Sequence, residues 1–199
     1  MKKILYLECK TGAAGDMLMG ALYSLLTEEQ KVLFLEKLNA ISEEVCVIPQ
    51  EICKQGIGGI HMKVEINGTE EGVEAHHHHE HNHHSHTSVA AILEQISKLD
   101  MSDAVKRDAE GIYRNIAAAE SKVHQTDMEQ IHFHEVGSVD ALIDVVGSCL
   151  ALELLGVDEV QASPVCVAVR MASFLFRRRP QPRLLRGCRY TAAVLTENY

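Results

Sequence analysis

The sequence predicts an α/β or α+β fold, a single mixed-layer domain with an irregular C-terminal tail. Three features predict it. A short apolar run, Ile4 to Leu7, is bounded by charge and leads through a glycine-bearing turn into an apolar helix. Residues 60–66 alternate apolar and polar side chains with the period of a half-buried strand. Val139, Leu142, Ile143, Val146 and Leu150 recur at helical spacing behind a short strand. Strands alternating with helices in this way build layered α/β or α+β cores. A chain of 199 residues holds one ordinary core. No apolar run approaches the ~20 residues that a membrane-spanning helix needs, so no membrane partner is expected.

From the N-terminus, Ile4 to Leu7 reads as a buried first strand. It breaks off at Glu8, too short for the apolar core of a signal peptide, and a cytoplasmic protein is expected. Gly12 to Met17, GAAGDM, turns that strand into a helix through Met17, Leu18, Ala21, Leu22 and Leu25. A strand, a glycine turn and a helix N-terminus can cradle an anion, which makes Gly12 and Gly15 candidate cofactor-binding positions. No Gly-Lys-Ser/Thr closes the turn, so it is not a Walker loop. Asp16 at the helix start would repel bare phosphate but suit a metal ion bridging to it. The alternative is a carboxylate that only complements the helix dipole. Thr27 to Gln30 reads as the capped start of a second helix ending near Leu38. Val45 to Ile52 reads as a strand interrupted by Pro49, and Gln55 to Ile66 as a glycine turn into a strand. Together they suggest a hairpin-like pair ending at Asn67-Gly68.

Gly68 to Ser88 is low in complexity. Eight histidines, His76, His77, His78, His79, His81, His83, His84 and His86, stand among acidic and small residues. With no apolar pattern to bury, residues 68–88 are expected to be a flexible surface loop. Imidazoles that are mostly neutral at pH 7 suit borderline divalent ions such as nickel, zinc or copper. The tract reads either as metal capture and buffering or as a solvated linker with incidental affinity.

Thr87 or Ser88 caps a helix through Val89, Ile92, Leu93 and Ile96. Asp103 to Val123 is another, with Val105, Ala109, Ile112, Ile116 and Ala119 as its apolar stripe. Met128 to Phe133 then extends into the most informative stretch, Ile131 to Gly156. His132 and His134 stand two apart, which in a strand places both imidazoles on one face. Glu135 follows, and Ser138 is a plausible N-cap for the apolar helix behind it. Asp140 and Asp144 are four apart, so they share a face near that helix's N-terminus. Two imidazoles and three carboxylates along the edge of a buried helix point to a functional site; the alternative is capping carboxylates and satisfied core histidines. Gly156 stops the helix, and Val157 to Val165 reads as a return strand ending at Ser163-Pro164.

Six cysteines, Cys9, Cys46, Cys53, Cys149, Cys166 and Cys188, are scattered without a CxxC pair, which fits free thiols in a reducing cytosol. The net charge of −9 argues against nucleic acid as a partner. That charge is uneven. From Arg170 onward the chain has seven arginines and one acidic residue, Glu197, leaving 12 basic and 27 acidic residues before it.

Four landmarks now stand in order: a strand into GxxGDM (Gly12 to Met17), a histidine-rich loop, HFHEVGxxDAxxDxxG (His132 to Gly147), and SPVxV (Ser163 to Val167). Together they resemble the LarC family, nickel-insertion proteins that mature the nickel-pincer nucleotide cofactor of lactate racemase and related enzymes. The resemblance covers residues 1–167, the N-terminal part of a family member, with Glu8 where the family usually has Asp. It implies nickel insertion into pyridinium-3,5-bisthiocarboxylic acid mononucleotide, a lyase-type nickel chelatase reaction. In the full-length form CTP is consumed, with Mg or Mn assisting. In that picture His132, His134 and Glu135 hold or hand over the metal. Asp16, Asp140 and Asp144 are the catalytic carboxylates, holding a divalent cation against phosphates or accepting the pyridinium C–H proton. Both roles stay open at this point. The mononucleotide and CTP are the implied partners, and a homo-oligomer is left open. The alternative reading is a nickel storage or delivery protein working through the His76–His86 loop; a third is a non-functional truncation product.

After Val167 the resemblance stops. The family continues with a stretch like HGxxPVPAPATA and later GxPxY, where this chain has MASFLFRRRPQPRLLRGCRY. Codons built from the last base of one observed codon and the first two of the next restore that motif. Met171 and Ala172 then permit His and Gly; Leu175 to Arg179 permit Pro, Val, Pro, Ala and Pro; Gly187 to Thr191 permit GxPxY. Residues 168–199 are therefore expected to be an out-of-frame tail and not an independent domain. A −1 slip in translation, or a sequence error, would account for it.

Overall fold

The apolar run behind the two N-terminal lysines forms β1, Lys3–Glu8, with Ile4 and Leu5 buried. The computed structural model describes residues 2–10, 13–54, 56–70, 87–133, 136–165 and 191–196. β1 is followed by α1, Gly15–Tyr23, and α2, Glu28–Asn39. The expected capping box opens α2: the Thr27 hydroxyl accepts from the Gln30 N–H, and the Gln30 side chain accepts from the Thr27 N–H. β2, Val45–Lys54, and β3, Ile57–Ile66, pair antiparallel along their whole length. Asn67 and Gly68, both at positive φ, turn β3 into β4, Thr69–Glu70.

Two helices follow, α3 (Val89–Lys98) and α4 (Asp103–His124). Each starts on a serine hydroxyl, Ser88 and Ser102 respectively. Just before α3, β5 (Thr87–Ser88) pairs with β6 (His132–Phe133). α5, Val139–Leu155, is capped by the Ser138 hydroxyl, which accepts from the Ala141 N–H at 3.2 Å. It ends at Gly156 with φ 58°, the left-handed conformation that glycine adopts at little cost. β7, Glu159–Ala162, returns parallel to β1.

α5 is the centre of the fold. Leu142, Ile143, Val146, Cys149, Leu150, Ala151 and Leu155 are all buried, so apolar residues surround the helix instead of forming one stripe. It packs against α1, α2 and α4, and α1 also packs against β3. That second contact is close: a Cβ on Gly20 would come within 2.5 Å of the Ile60 carbonyl oxygen. Glycine at this position lets α1 lie directly on the backbone of β3.

The structure departs from the sequence expectations at several places. Pro49 does not interrupt β2; it pairs opposite Met62 on a strand at the edge of its sheet, where a missing N–H is tolerated. Met128 to Phe133 is not continuously extended but forms a 3-10 turn at Met128–Gln130 before β6. The return strand is shorter than Val157 to Val165; just before it, Asp158 donates its N–H to the Lys3 carbonyl at 2.9 Å and its carboxylate accepts from the Lys3 N–H at 2.8 Å. α1 buries Leu22 as read, with Leu18 and Leu25 partly buried against the core, and adds Met19 and Tyr23. The buried row of α4 is Val105, Ala109, Tyr113 and Ala117, while Ile112 is exposed. A four-residue row fits the crossing with α5, and the Tyr113 ring fills more of that contact than isoleucine would. Finally, the tail is not irregular throughout. Thr191–Thr196 forms β8, antiparallel to β1 on the side away from β7.

Candidate functional site

The starts of α1 and α5 meet β3 around a cleft of about 270 Å³. Gly15 and Asp16 come from the first turn of α1, and Asp140 and Asp144 from the first two turns of α5. His61 and Lys63 come from β3 on the other side. Each placement follows from local sequence. Ser138 fixes where α5 begins, which sets Asp140 in its first turn and Asp144 one turn later on the same face. β3 reaches the cleft because its second edge is covered by β4 only at Glu65 and Ile66.

Gly15 and Asp144 are in intimate contact. A Cβ on Gly15 would overlap the Asp144 carboxylate, so the glycine makes room for this side chain. The Asp16 main-chain N–H donates to the same carboxylate. One bond does not offset the burden. Burial, followed by the negative charges of Asp140 and Asp16, pushes the Asp144 carboxyl up to about 7. Asp140 is also raised, by burial first and Asp16 second. Asp144 Oδ1 is buried and has no hydrogen-bond partner among the described residues. Burial and the charge of Asp144 also raise the Tyr113 phenol, whose hydroxyl donates to the Val136 carbonyl at 3.2 Å.

The structure thus brings together Asp16, Asp140 and Asp144, with Gly15 beside them. It does not bring His132 into the lining of this cleft: His132 is exposed on β6, opposite Ser88. Gly12, His134, Glu135 and the histidines from His76 to His86 lie outside the described residues. Among the described residues, no three His, Cys, Asp or Glu side chains are arranged to hold a metal ion by themselves. Glu8 is likewise not part of the lining. Its carboxyl is held below the usual range, chiefly by the Ser163 hydroxyl, and Lys10 pairs with it at 3.3 Å. Ser163 also accepts from the Cys9 N–H at 2.7 Å, tying the segment after β7 to the end of β1.

Comparison with known proteins places the chain in a family. Residues 5–175 match the family model for nickel insertion proteins. The chain belongs to that family. Among its curated relatives, a pyridinium-3,5-bisthiocarboxylic acid mononucleotide nickel insertion protein of Lactiplantibacillus plantarum is 39% identical over 168 residues, covering 81% of this chain and 40% of the relative. Proteins of the same description from Clostridium kluyveri and Staphylococcus saprophyticus are 40% and 36% identical, over 83% and 81% of this chain. They are covered to 41% and 37% of their own lengths, so the chain spans about two fifths of these nickel insertion proteins. No solved structure matches it. Among the described residues no helix is long and apolar enough to cross a membrane.

Sequence reasoning about this nickel-insertion-family chain missed His61 and Lys63. Their alternation with Met62 and Val64 announces a shared strand face. Nothing local announces that α1 presses on β3 at Ile60 and so brings that strand to the carboxylates. Tyr113 was missed for a related reason, since its polar tip becomes informative only once Val136 lies above it.

Proposed function

We propose that this cleft is where nickel is joined to the pyridinium-3,5-bisthiocarboxylic acid mononucleotide, with the chain acting as the N-terminal part of a nickel chelatase. The observation that carries this reading is the state of Asp144. A carboxylate held in a desolvated place beside two others, with one oxygen unpartnered, is costly for folding and suited to cations and protons. The relatives' substrate supplies both. Its pyridinium ring is cationic, and its cargo metal is a divalent ion.

Nickel here is a substrate. Among the described residues the cleft offers carboxylate oxygens without a closed ligand set, and in this reading the two thiocarboxylate sulfurs of the mononucleotide complete the coordination. Asp16 and Asp140 face the positive charges of ring and metal. Asp144 takes the proton released when nickel replaces hydrogen on the ring carbon, a transfer suited to a group that titrates near neutrality. CTP with Mg or Mn, which the family resemblance implies, belongs in this reading to the length of the relatives that the chain does not span.

Amide hydrogen exchange tests the location. Adding the thiolated mononucleotide and nickel slows exchange about tenfold at residues 15–17 and 140–144. Protection confined to other parts of the chain would remove the cleft as the site.

A further inference from the structure

The carboxylates occupy one side of the cleft, and the mononucleotide also carries a phosphate, which they repel. We infer that β3 supplies the anion-binding wall: Lys63, with His61 beside it, receives the phosphate of the mononucleotide. The inference rests on the cleft being the nickel-insertion site and adds the orientation of the substrate within it.

Three observations carry it. First, the cleft is lined from β3 by His61 and Lys63 and from the two helix starts by Asp16, Asp140 and Asp144, so its basic and acidic side chains come from different elements. A ligand with a cationic ring at one end and a phosphate at the other matches that polarity in one direction only. Second, Lys63 is held in place: it pairs with Glu65 at 2.8 Å, both side chains being about three-quarters buried or more. A phosphate bound there would share or exchange the ammonium's contacts. Third, the wall cannot drift away from the carboxylates. Gly20 of α1 lies on the Ile60 carbonyl, one residue before His61, and Gly15 at the head of the same helix lies on Asp144. A single helix therefore sets the distance between the two walls.

The carboxylate side is also unsuited to phosphate despite its two helix N-termini. Those positive dipole ends are already matched by Asp16 and Asp140 in the first turns. The first turn of α1, which resembled an anion cradle in sequence, is thus occupied by the chain's own carboxylates.

The test uses the longer, frame-restored chain and steady-state nickel insertion into two substrates, the thiolated mononucleotide and its phosphate-free nucleoside. Lys63→Gln raises KM for the mononucleotide about tenfold, leaves KM for the nucleoside unchanged, and changes kcat little. Lys63→Arg, which keeps the charge, recovers most of the lost affinity. Inorganic phosphate competes with the mononucleotide in the parent chain and competes more weakly in Lys63→Gln. An unchanged KM in Lys63→Gln, or an equal rise for both substrates, overturns the phosphate assignment. Either result would leave the cleft itself standing if exchange protection still maps to residues 15–17 and 140–144; absence of that protection would remove the cleft reading separately.

Discussion

Replacing Asp144 by Asn stabilises the metal-free protein, and the gain grows with pH. The sign follows from linkage. The folded-state carboxyl titrates at about 7, against an ordinary value of 3.8. Between these values the folded chain keeps a proton that the unfolded chain has released, so stability falls as pH rises through the window. Above pH 7 the full burden of the ionised, buried carboxylate is present. A difference of roughly three units, at about 1.4 kcal/mol each, bounds the effect near 4 kcal/mol, and structural relaxation brings the expectation to about 2–4 kcal/mol at pH 8. Asn fills the same volume and can still accept from the Asp16 N–H. Urea unfolding in the presence of a chelator should show the variant ahead at pH 8 and nearly level with the parent at pH 4. A variant less stable than the parent at pH 8 would mean that Asp144 is a structural acceptor and not a strained functional group.

The second large effect concerns the tail. We propose that residues 168–199 are read out of frame and that a −1 slip restores a longer, active protein. The family match ends at residue 175, eight residues past Val167 and before the run Arg177 to Arg179. In this reading β8 is a substitute strand: Thr191–Thr196 fills the edge of β1. Nickel insertion is expected from the frame-restored chain, with less than about 1% of that activity from the 199-residue chain, since chemistry shared between two halves is lost without either. A nucleotide sequence with no −1 frame encoding a HGxxPVPAPATA-like stretch would end the proposal, as would equal activity of the two forms.

Much of the site's carboxylate half was legible beforehand. Ser138, the helical spacing behind it and the four-residue separation of Asp140 and Asp144 are local facts, and local physics carried them into the fold unchanged. Asp16 was placed at its helix start for the same reason. What could not be read is where one element's face meets another's. The buried face of α4 was misjudged past Ala109 because that helix carries apolar residues on two sides, and only the packing partner selects one. Lys63 and His61 looked like the solvent face of a strand. They line the cleft because Gly20 lets α1 settle onto β3, a contact between residues forty apart. Pro49 was read as a break because a sequence does not say which strand will lie at a sheet edge.

The central claim is that the Asp16–Asp140–Asp144 cleft performs nickel insertion, and single-turnover transfer measures it directly. Frame-restored Asp144→Asn, supplied with nickel, CTP and the thiolated mononucleotide, should be at least as stable as the parent at pH 8. It should form the nickel–carbon product at least about a hundredfold more slowly, the range lost with a positioned base. Product formation at the parental rate in that variant would contradict the account.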